Sequence, residues 1–314
     1  MDLLYRTKEI CRLYDIHPAR SKGQNFLVNE EIYDQIITAA DLKKSDVVLE
    51  VGPGLGFLTA KLAKAVSKVV AVELDDKLAA YLRDAITNSN VGNVEIVNKN
   101  ILDVKILDIF SEFQITNSKF HVVANLPYNI TSVFLRKFLT AELKPETMTL
   151  LLQKEVAERI CAKPGKMSLL ALSVQFYAEP KIISYVPKEN FWPTPEVDSA
   201  IIRIQLKNFC HCERNEVKRS NPAGNSKSEI ACLCGRQASP GARNDKEKDF
   251  FRLAKFGFSA KRKMLKNNLA AGLHISPAET EKILVASGFN PKIRAEDLGV
   301  EDWEKITERI AHNA

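Results

Sequence analysis

Short apolar runs alternate with segments of helical spacing along the first two thirds of the chain. Val47 to Val51, Val69 to Val72, Val94 to Val97, Phe120 to Ala124 and Met148 to Leu152 read as strands. Between and after them, Phe57 to Val66, Leu78 to Ile86, Thr131 to Leu139 and Ser168 to Phe176 space their apolar residues as helices do. Lys181 to Val186 and Ile201 to Leu206 suit a terminal antiparallel hairpin. Strands alternating with helices predict a doubly wound α/β sheet with right-handed crossovers. Residues 248–314 carry only helical periodicity, with Pro277 and Pro291 as boundaries, and predict a small all-α C-terminal domain.

Two strand ends carry chemistry. The first expected strand, Val47 to Val51, contains Glu50 and leads into Gly52-Pro53-Gly54-Leu55-Gly56. Glycines there admit positive φ and let a ligand approach the backbone. The next strand ends in Glu73-Leu74-Asp75, and an acid at that tip can accept hydrogen bonds from both hydroxyls of a ribose. Strand, glycine turn, helix, strand and acid in this order point to a nucleoside cofactor. The turn reads G-x-G-x-G, not the dinucleotide G-x-G-x-x-G, and Glu50 two residues before it would repel a pyrophosphate. S-adenosylmethionine carries an amino group and a sulfonium, so acidic surroundings suit it better than NAD.

The second strand end is Asn125-Leu126-Pro127-Tyr128. Pro127 forces an extended exit, which leaves an amide and an aromatic ring at the carboxyl edge of the sheet, where open α/β sheets hold their ligands. An ordinary strand-to-loop turn explains the tetrapeptide as well, taken alone. With the glycine turn beside it, the pair suits a base whose exocyclic amine is hydrogen-bonded while its ring is stacked.

Gln24-Asn25-Phe26-Leu27, Glu50 to Gly56 with Leu58-Thr59, Glu73, Asn125 to Tyr128 and Phe191-Trp192-Pro193-Thr194-Pro195-Glu196-Val197-Asp198-Ser199 together resemble the ribosomal RNA adenine dimethyltransferases. The likeness spans roughly residues 15–207 and resumes near 248. It is greatest to the small-subunit branch, which dimethylates two adjacent adenines near the 3′ end of 16S rRNA; the macrolide-resistance enzymes, which modify a large-subunit adenine, share the first and fourth motifs. The resemblance implies a Rossmann-like, S-adenosylmethionine-dependent methyltransferase sheet. It assigns the target base to Asn125, Leu126, Pro127, Tyr128 and Phe191. It assigns the donor to Gln24, Asn25, Leu27, Glu50, Gly52, Gly54, Gly56, Glu73, Leu74, Asn100, Ile101 and Asn125. The family places an Asp after the third strand, where this chain has Asn100; Asp103 is the alternative if the register shifts. An Asn oxygen accepts the same hydrogen bond from the donor's adenine.

Adenine's amino nitrogen is a poor nucleophile, its lone pair being delocalised into the ring. Asn125 with the carbonyl of Leu126 or Pro127 would accept from that amine, and Tyr128 and Phe191 would sandwich the base. No strong general base accompanies these motifs, as expected for a reaction driven by the leaving group and by alignment. A non-catalytic ribosome-assembly or transcription factor and a dinucleotide oxidoreductase are the other functions compatible with the fold; the intact Glu73, Asn125, Tyr128 and Phe191 disfavour the first and Glu50 the second.

Charge adds a nucleic-acid surface. The 314 residues carry a formal charge of +6, and Arg252, Lys255, Lys261, Arg262, Lys263 and Lys266 cluster without an intervening acid. That pattern predicts phosphate binding, while Phe251, Phe256 and Phe258 pack the small domain's core. No run reaches membrane-spanning length and the charged amino terminus does not read as a signal peptide, so the expected location is the cytoplasm, as a monomer with the small ribosomal subunit and its 16S rRNA as partner. Residues 1–14 are compatible with a disordered arm, and Arg20-Ser21-Lys22 with a loop or short helix folding over the donor. Cys210-His211-Cys212 and Cys232-Leu233-Cys234 could supply four thiolates to zinc, yet their surroundings are polar and aperiodic. The expected organisation is a catalytic domain over 1–207, an inserted and mostly disordered segment over 208–247 with no metal, and an RNA-binding helical domain over 248–314.

Overall fold

A computed structural model describes residues 2–18, 24–89, 91–115, 119–207, 240–260 and 262–313. The chain divides into two units, Met1–Leu206 and Lys207–Ala314.

In the first unit the helices are α1 (Leu3–Leu13), α2 (Glu30–Ala40), α3 (Phe57–Ala65), α4 (Asp76–Asn88), α5 (Ile106–Glu112), α6 (Thr131–Thr140), α7 (Lys154–Ile160) and α8 (Leu169–Tyr177). The strands are β1 (Phe26–Leu27), β2 (Val47–Val51), β3 (Lys68–Glu73), β4 (Val94–Asn98), β5 (Phe120–Asn125), β6 (Thr147–Gln153), β7 (Ala178–Val186), β8 (Phe191–Trp192) and β9 (Ser199–Leu206). Seven strands form one sheet in the order β4-β3-β2-β5-β6-β9-β7. Strands β2 to β6 are parallel; β9 lies antiparallel between β6 and β7, as the expected hairpin requires. All five residues of β2 are buried, because helices cover both faces of a parallel sheet. Chain order reverses between β2 and β5, so their carboxyl ends border the crevice such sheets use for ligands.

Two features of this unit differ from expectation. Residues 3–13 are a helix, not a disordered arm: Asp2 caps it, accepting from the Leu4 N–H at 3.3 Å, and Leu3, Thr7 and Cys11 form its buried stripe. Two of those three residues are Thr and Cys, which a search for apolar periodicity passes over. The second is a small antiparallel ribbon, in which Phe26 pairs with Trp192 and Leu27 with Phe191. It joins two motifs from opposite ends of the unit.

The second unit holds α9 (Pro240–Gly257), α10 (Leu265–Leu273), α11 (Pro277–Ala286) and α12 (Val300–Asn313). Helix α9 starts at Pro240, inside the segment expected to be an insertion; Pro is tolerated in a first turn, where its missing N–H has no intrahelical partner to lose. Residues 208–239, and with them the cysteine doublets, lie outside the described residues. Trp303 and Phe250 are buried, Phe258 stacks on Trp303 at 5.9 Å, and Phe251 packs edge-on to Phe250 at 5.1 Å. Buried Asn268 donates to the carbonyl of Gly257 at 2.6 Å, satisfying an oxygen that the end of α9 leaves open, and to that of Ala260 in the following turn at 3.1 Å.

Candidate functional site

At the carboxyl ends of β2 and β5 the chain opens a cleft. At its first end, β2 runs into the glycine turn, where Gly52 and Gly54 have φ of 69° and 59°. A side chain in that left-handed region is strained, so these positions favour glycine. The Gly52 N–H donates to Val72 O at 3.0 Å, and a Cβ at Gly52 would lie 3.6 Å from the Asn125 carbonyl oxygen. The turn therefore runs beside the second motif.

Two buried acids stand at this end. Glu73, at the tip of β3, is 6 % exposed, and its oxygens accept from the Gly54 N–H at 3.1 Å and the Asp75 N–H at 2.9 Å. Burial raises its pKa above the ordinary carboxyl value while those backbone donors oppose the rise. Glu50, in β2, is 1 % exposed, and neither carboxyl oxygen has a hydrogen-bond partner. Burial pushes it up to about 8; the nearby Thr59 hydroxyl holds the rise back without forming a hydrogen bond of normal geometry, and the charge of Glu73 adds to it.

The second end is the loop after β5. Asn125 Nδ2 donates to the Asn25 carbonyl at 3.5 Å, which leaves Oδ1 to accept from a ligand. The Leu126 N–H is committed to Leu151 O at 3.2 Å and the Pro127 carbonyl to the Ile130 N–H at 3.3 Å, so the Leu126 carbonyl is the freer of the two candidate acceptors. Half-buried Tyr128 pairs its hydroxyl with that of fully buried Ser199 at 2.9 Å, and burial raises its pKa. Phe191 lines the cleft but is only 3 % exposed, packed in one core cluster with Leu27, Tyr33 and Ile201. It forms a wall more than an open stacking face.

Gln24, Asn25, Leu27, Glu50, Gly52, Gly54, Glu73, Leu74, Asn125, Leu126, Pro127, Tyr128 and Phe191 all line this one cleft. Three expected donor residues do not. Gly56 caps α3, and a side chain there would meet Leu82. Ile101 is buried, and Asn100 is held by its neighbours: Oδ1 accepts from the Leu102 N–H at 3.0 Å and Nδ2 donates to Asp103 at 2.9 Å. The two alternatives at this position are thus hydrogen-bonded to each other. Sequence reasoning missed Tyr33, whose hydroxyl donates to Leu27 O at 2.9 Å and anchors the Gln24–Leu27 segment, and Ser199, which fixes Tyr128. Ser199 stands inside a quoted motif; Tyr33 offered no signal beyond its place on a helical face.

In the helical unit Lys255, Arg262 and Lys263 are exposed. Arg252 pairs with Asp249 at 3.1 Å and Lys266 with Glu281 at 2.7 Å, while Lys261 lies outside the described residues. Among the described residues no group of three or more His, Cys, Asp or Glu could hold a metal ion, and no helix is long and apolar enough to cross a membrane.

A profile of the family described as "Ribosomal RNA adenine dimethylase" matches residues 17–219. The chain belongs to this family. Proteins named ribosomal RNA small subunit methyltransferase A are similar over nearly its whole length: one from Dehalococcoides mccartyi is 40% identical over 313 residues, covering 99% of this chain and 94% of the relative, and one from Geobacillus kaustophilus is 35% identical over 311 residues, covering 98% and 95%. Two solved structures share the fold. The 23S rRNA methyltransferase ErmE superposes with a TM-score of 0.65 at 24% identity, covering 91% of this chain and all of that one; a dimethyladenosine transferase from Plasmodium falciparum gives 0.66 at 22%, covering 88% and 94%.

Members of the family are S-adenosylmethionine-dependent methyltransferases that act on rRNA. The cleft fits that donor: among the described residues its lining includes Glu50, Glu73 and Asp75 and no Lys, Arg or His, which favours a cationic nucleoside and disfavours a pyrophosphate. Glu50, with no partner of its own, and the left-handed backbone at Gly52 and Gly54 are the features such a ligand would use.

Proposed function

We propose that this protein dimethylates the N6 amines of two adjacent adenines in the 3′-terminal hairpin of 16S rRNA, on assembling small subunits, as a cytoplasmic monomer. The observation that carries this reading is that one cleft joins the acidic glycine turn to Asn125, Tyr128 and Phe191, in a chain 40% identical to a small-subunit enzyme along nearly its full length. Gln24, Asn25, Leu27, Glu50, Gly52, Gly54, Glu73 and Leu74 would hold the donor, which when bound supplies an electrophilic methyl group. Asn100 or Asp103 would reach the donor's adenine from the rim after β4.

The protein's part is alignment. Asn125 Oδ1 and the Leu126 carbonyl accept hydrogen bonds from the target amine and hold its lone pair toward the donor end. Tyr128, locked by Ser199, covers one face of the flipped base, and Phe191 backs the other. A stack of this kind contributes roughly 1–3 kcal/mol per base. The basic residues of the helical unit, Arg252, Lys255, Lys261, Arg262, Lys263 and Lys266, bind phosphates and carry no sequence information.

Purified protein, labelled donor and small subunits from a strain lacking this modification test the proposal. Primer extension on the product should stop at two adjacent adenines near the 3′ end of 16S rRNA, with free adenosine unmodified. Label in 23S rRNA instead, as a macrolide-resistance enzyme would give, or equal rates on adenosine and subunits, overturns it.

A further inference from the structure

Glu50 is the anomaly of the cleft. Its carboxyl is enclosed by Tyr33 from α2, Thr59 from α3 and Glu73 from β3, and these bring a phenol, a hydroxyl and a second acid but no cation. Tyr33 gives its proton to Leu27 O, and both oxygens of Glu73 are committed to backbone N–H groups. Neither carboxyl oxygen of Glu50 receives a hydrogen bond. A carboxylate left unpaired in such a place is strongly disfavoured, and a buried acid avoids the penalty by keeping its proton or by gaining a positive partner.

We propose that Glu50 is a neutral carboxylic acid in the donor-free protein and becomes the carboxylate partner of a cationic group on the methyl donor, so that each donor bound expels one proton to solvent. This rests on the donor reading of the cleft and goes beyond it, because it makes Glu50 the residue that selects for ligand charge. The balance is simple: the O–H bond of Glu50 breaks, its proton leaves to the buffer, and the carboxylate gains either the ammonium or the sulfonium as counter-ion. Burial holding the empty carboxyl up to about 8 agrees with this order of events.

The sign follows. A raised carboxyl pKa that a bound cation then lowers means that, between the two values, binding releases a proton and tightens as pH rises. Between pH 6 and 7.5 donor affinity should approach a tenfold gain per pH unit. Titration calorimetry of the full-length protein in two buffers of different ionisation enthalpy reads the proton directly. S-adenosylmethionine should release close to one proton per site at pH 7. S-adenosylhomocysteine keeps the ammonium but not the sulfonium; release with both ligands assigns the ammonium as partner, and release with the donor alone assigns the sulfonium. 5′-Methylthioadenosine has neither cation and should bind without proton release, so an equal release with it overturns the proposal. Glu50→Gln should weaken donor binding and remove both the pH slope and the release; a release that persists in this variant also overturns it. Tight donor binding with no buffer dependence in the unaltered protein refutes the proton step while leaving the donor site standing, whereas no donor binding at any pH refutes the site itself.

Discussion

The two ends of the cleft are built differently. At the proposed donor end the polar groups other than Glu50 are tied into the backbone around them: Glu73 spans two backbone N–H groups, and Gly52 bonds to Val72 across the sheet. At the target end the key amide rests on one long contact to Asn25, and Tyr128 on one side-chain pair with Ser199. Rigidity suits a ligand that is the same molecule in every turnover. Looseness suits an amine that arrives bare and must return carrying a methyl group.

The contrast can be broken most forcefully with Asn125→Ala. Losing the acceptor for the reacting amine should lower kcat on small subunits by about 100- to 1,000-fold, as for other groups that act on the transition state, while the donor dissociation constant changes less than about threefold. A matching loss of donor affinity would show that the two ends are not separable. The reciprocal variant, Glu73→Ala, removes charged hydrogen bonds and should weaken donor binding by about 10- to 100-fold. Methyl transfer at saturating donor should recover much of its rate.

Two smaller effects sharpen the picture. Replacing Lys255, Arg262 and Lys263 together with Gln should weaken subunit binding about tenfold at physiological salt and flatten its salt dependence by about two to three charges. Donor affinity should not move, because those cations act through phosphates. Finally, Tyr128→Phe removes only the bond to Ser199 and should cost a few-fold in turnover, on the order of 1 kcal/mol, against a much larger loss for Tyr128→Ala. Equal losses in the two variants would mean that the hydroxyl, and not the ring, carries the function.

What was legible in the chain follows the same division. Continuous apolar strands and positive-φ glycines announce themselves, so β2, its turn, β3 and β5 stand where the pattern puts them, and the acids and Asn125 with them. Contacts between distant segments leave no local trace. The two-residue strands β1 and β8 are too short for any periodicity, Ser199 reveals its role only once β9 lies beside β6, and the hydrogen bonds of Asn100 to Leu102 and Asp103 leave no mark in the sequence. Helix α1 escaped for a third reason: a stripe of Leu, Thr and Cys is buried without being conspicuously apolar.

The ribbon of β1 and β8 also bears on biosynthesis. Phe26 and Leu27 emerge early from the ribosome, yet their partners Phe191 and Trp192 come near the end of the catalytic unit. Until those late residues appear, one wall of the cleft is missing and the Gln24–Leu27 segment lacks its pairing strand, so a chain that stops short of Phe191 cannot assemble the site, and the cleft closes only once nearly the whole catalytic unit has been made.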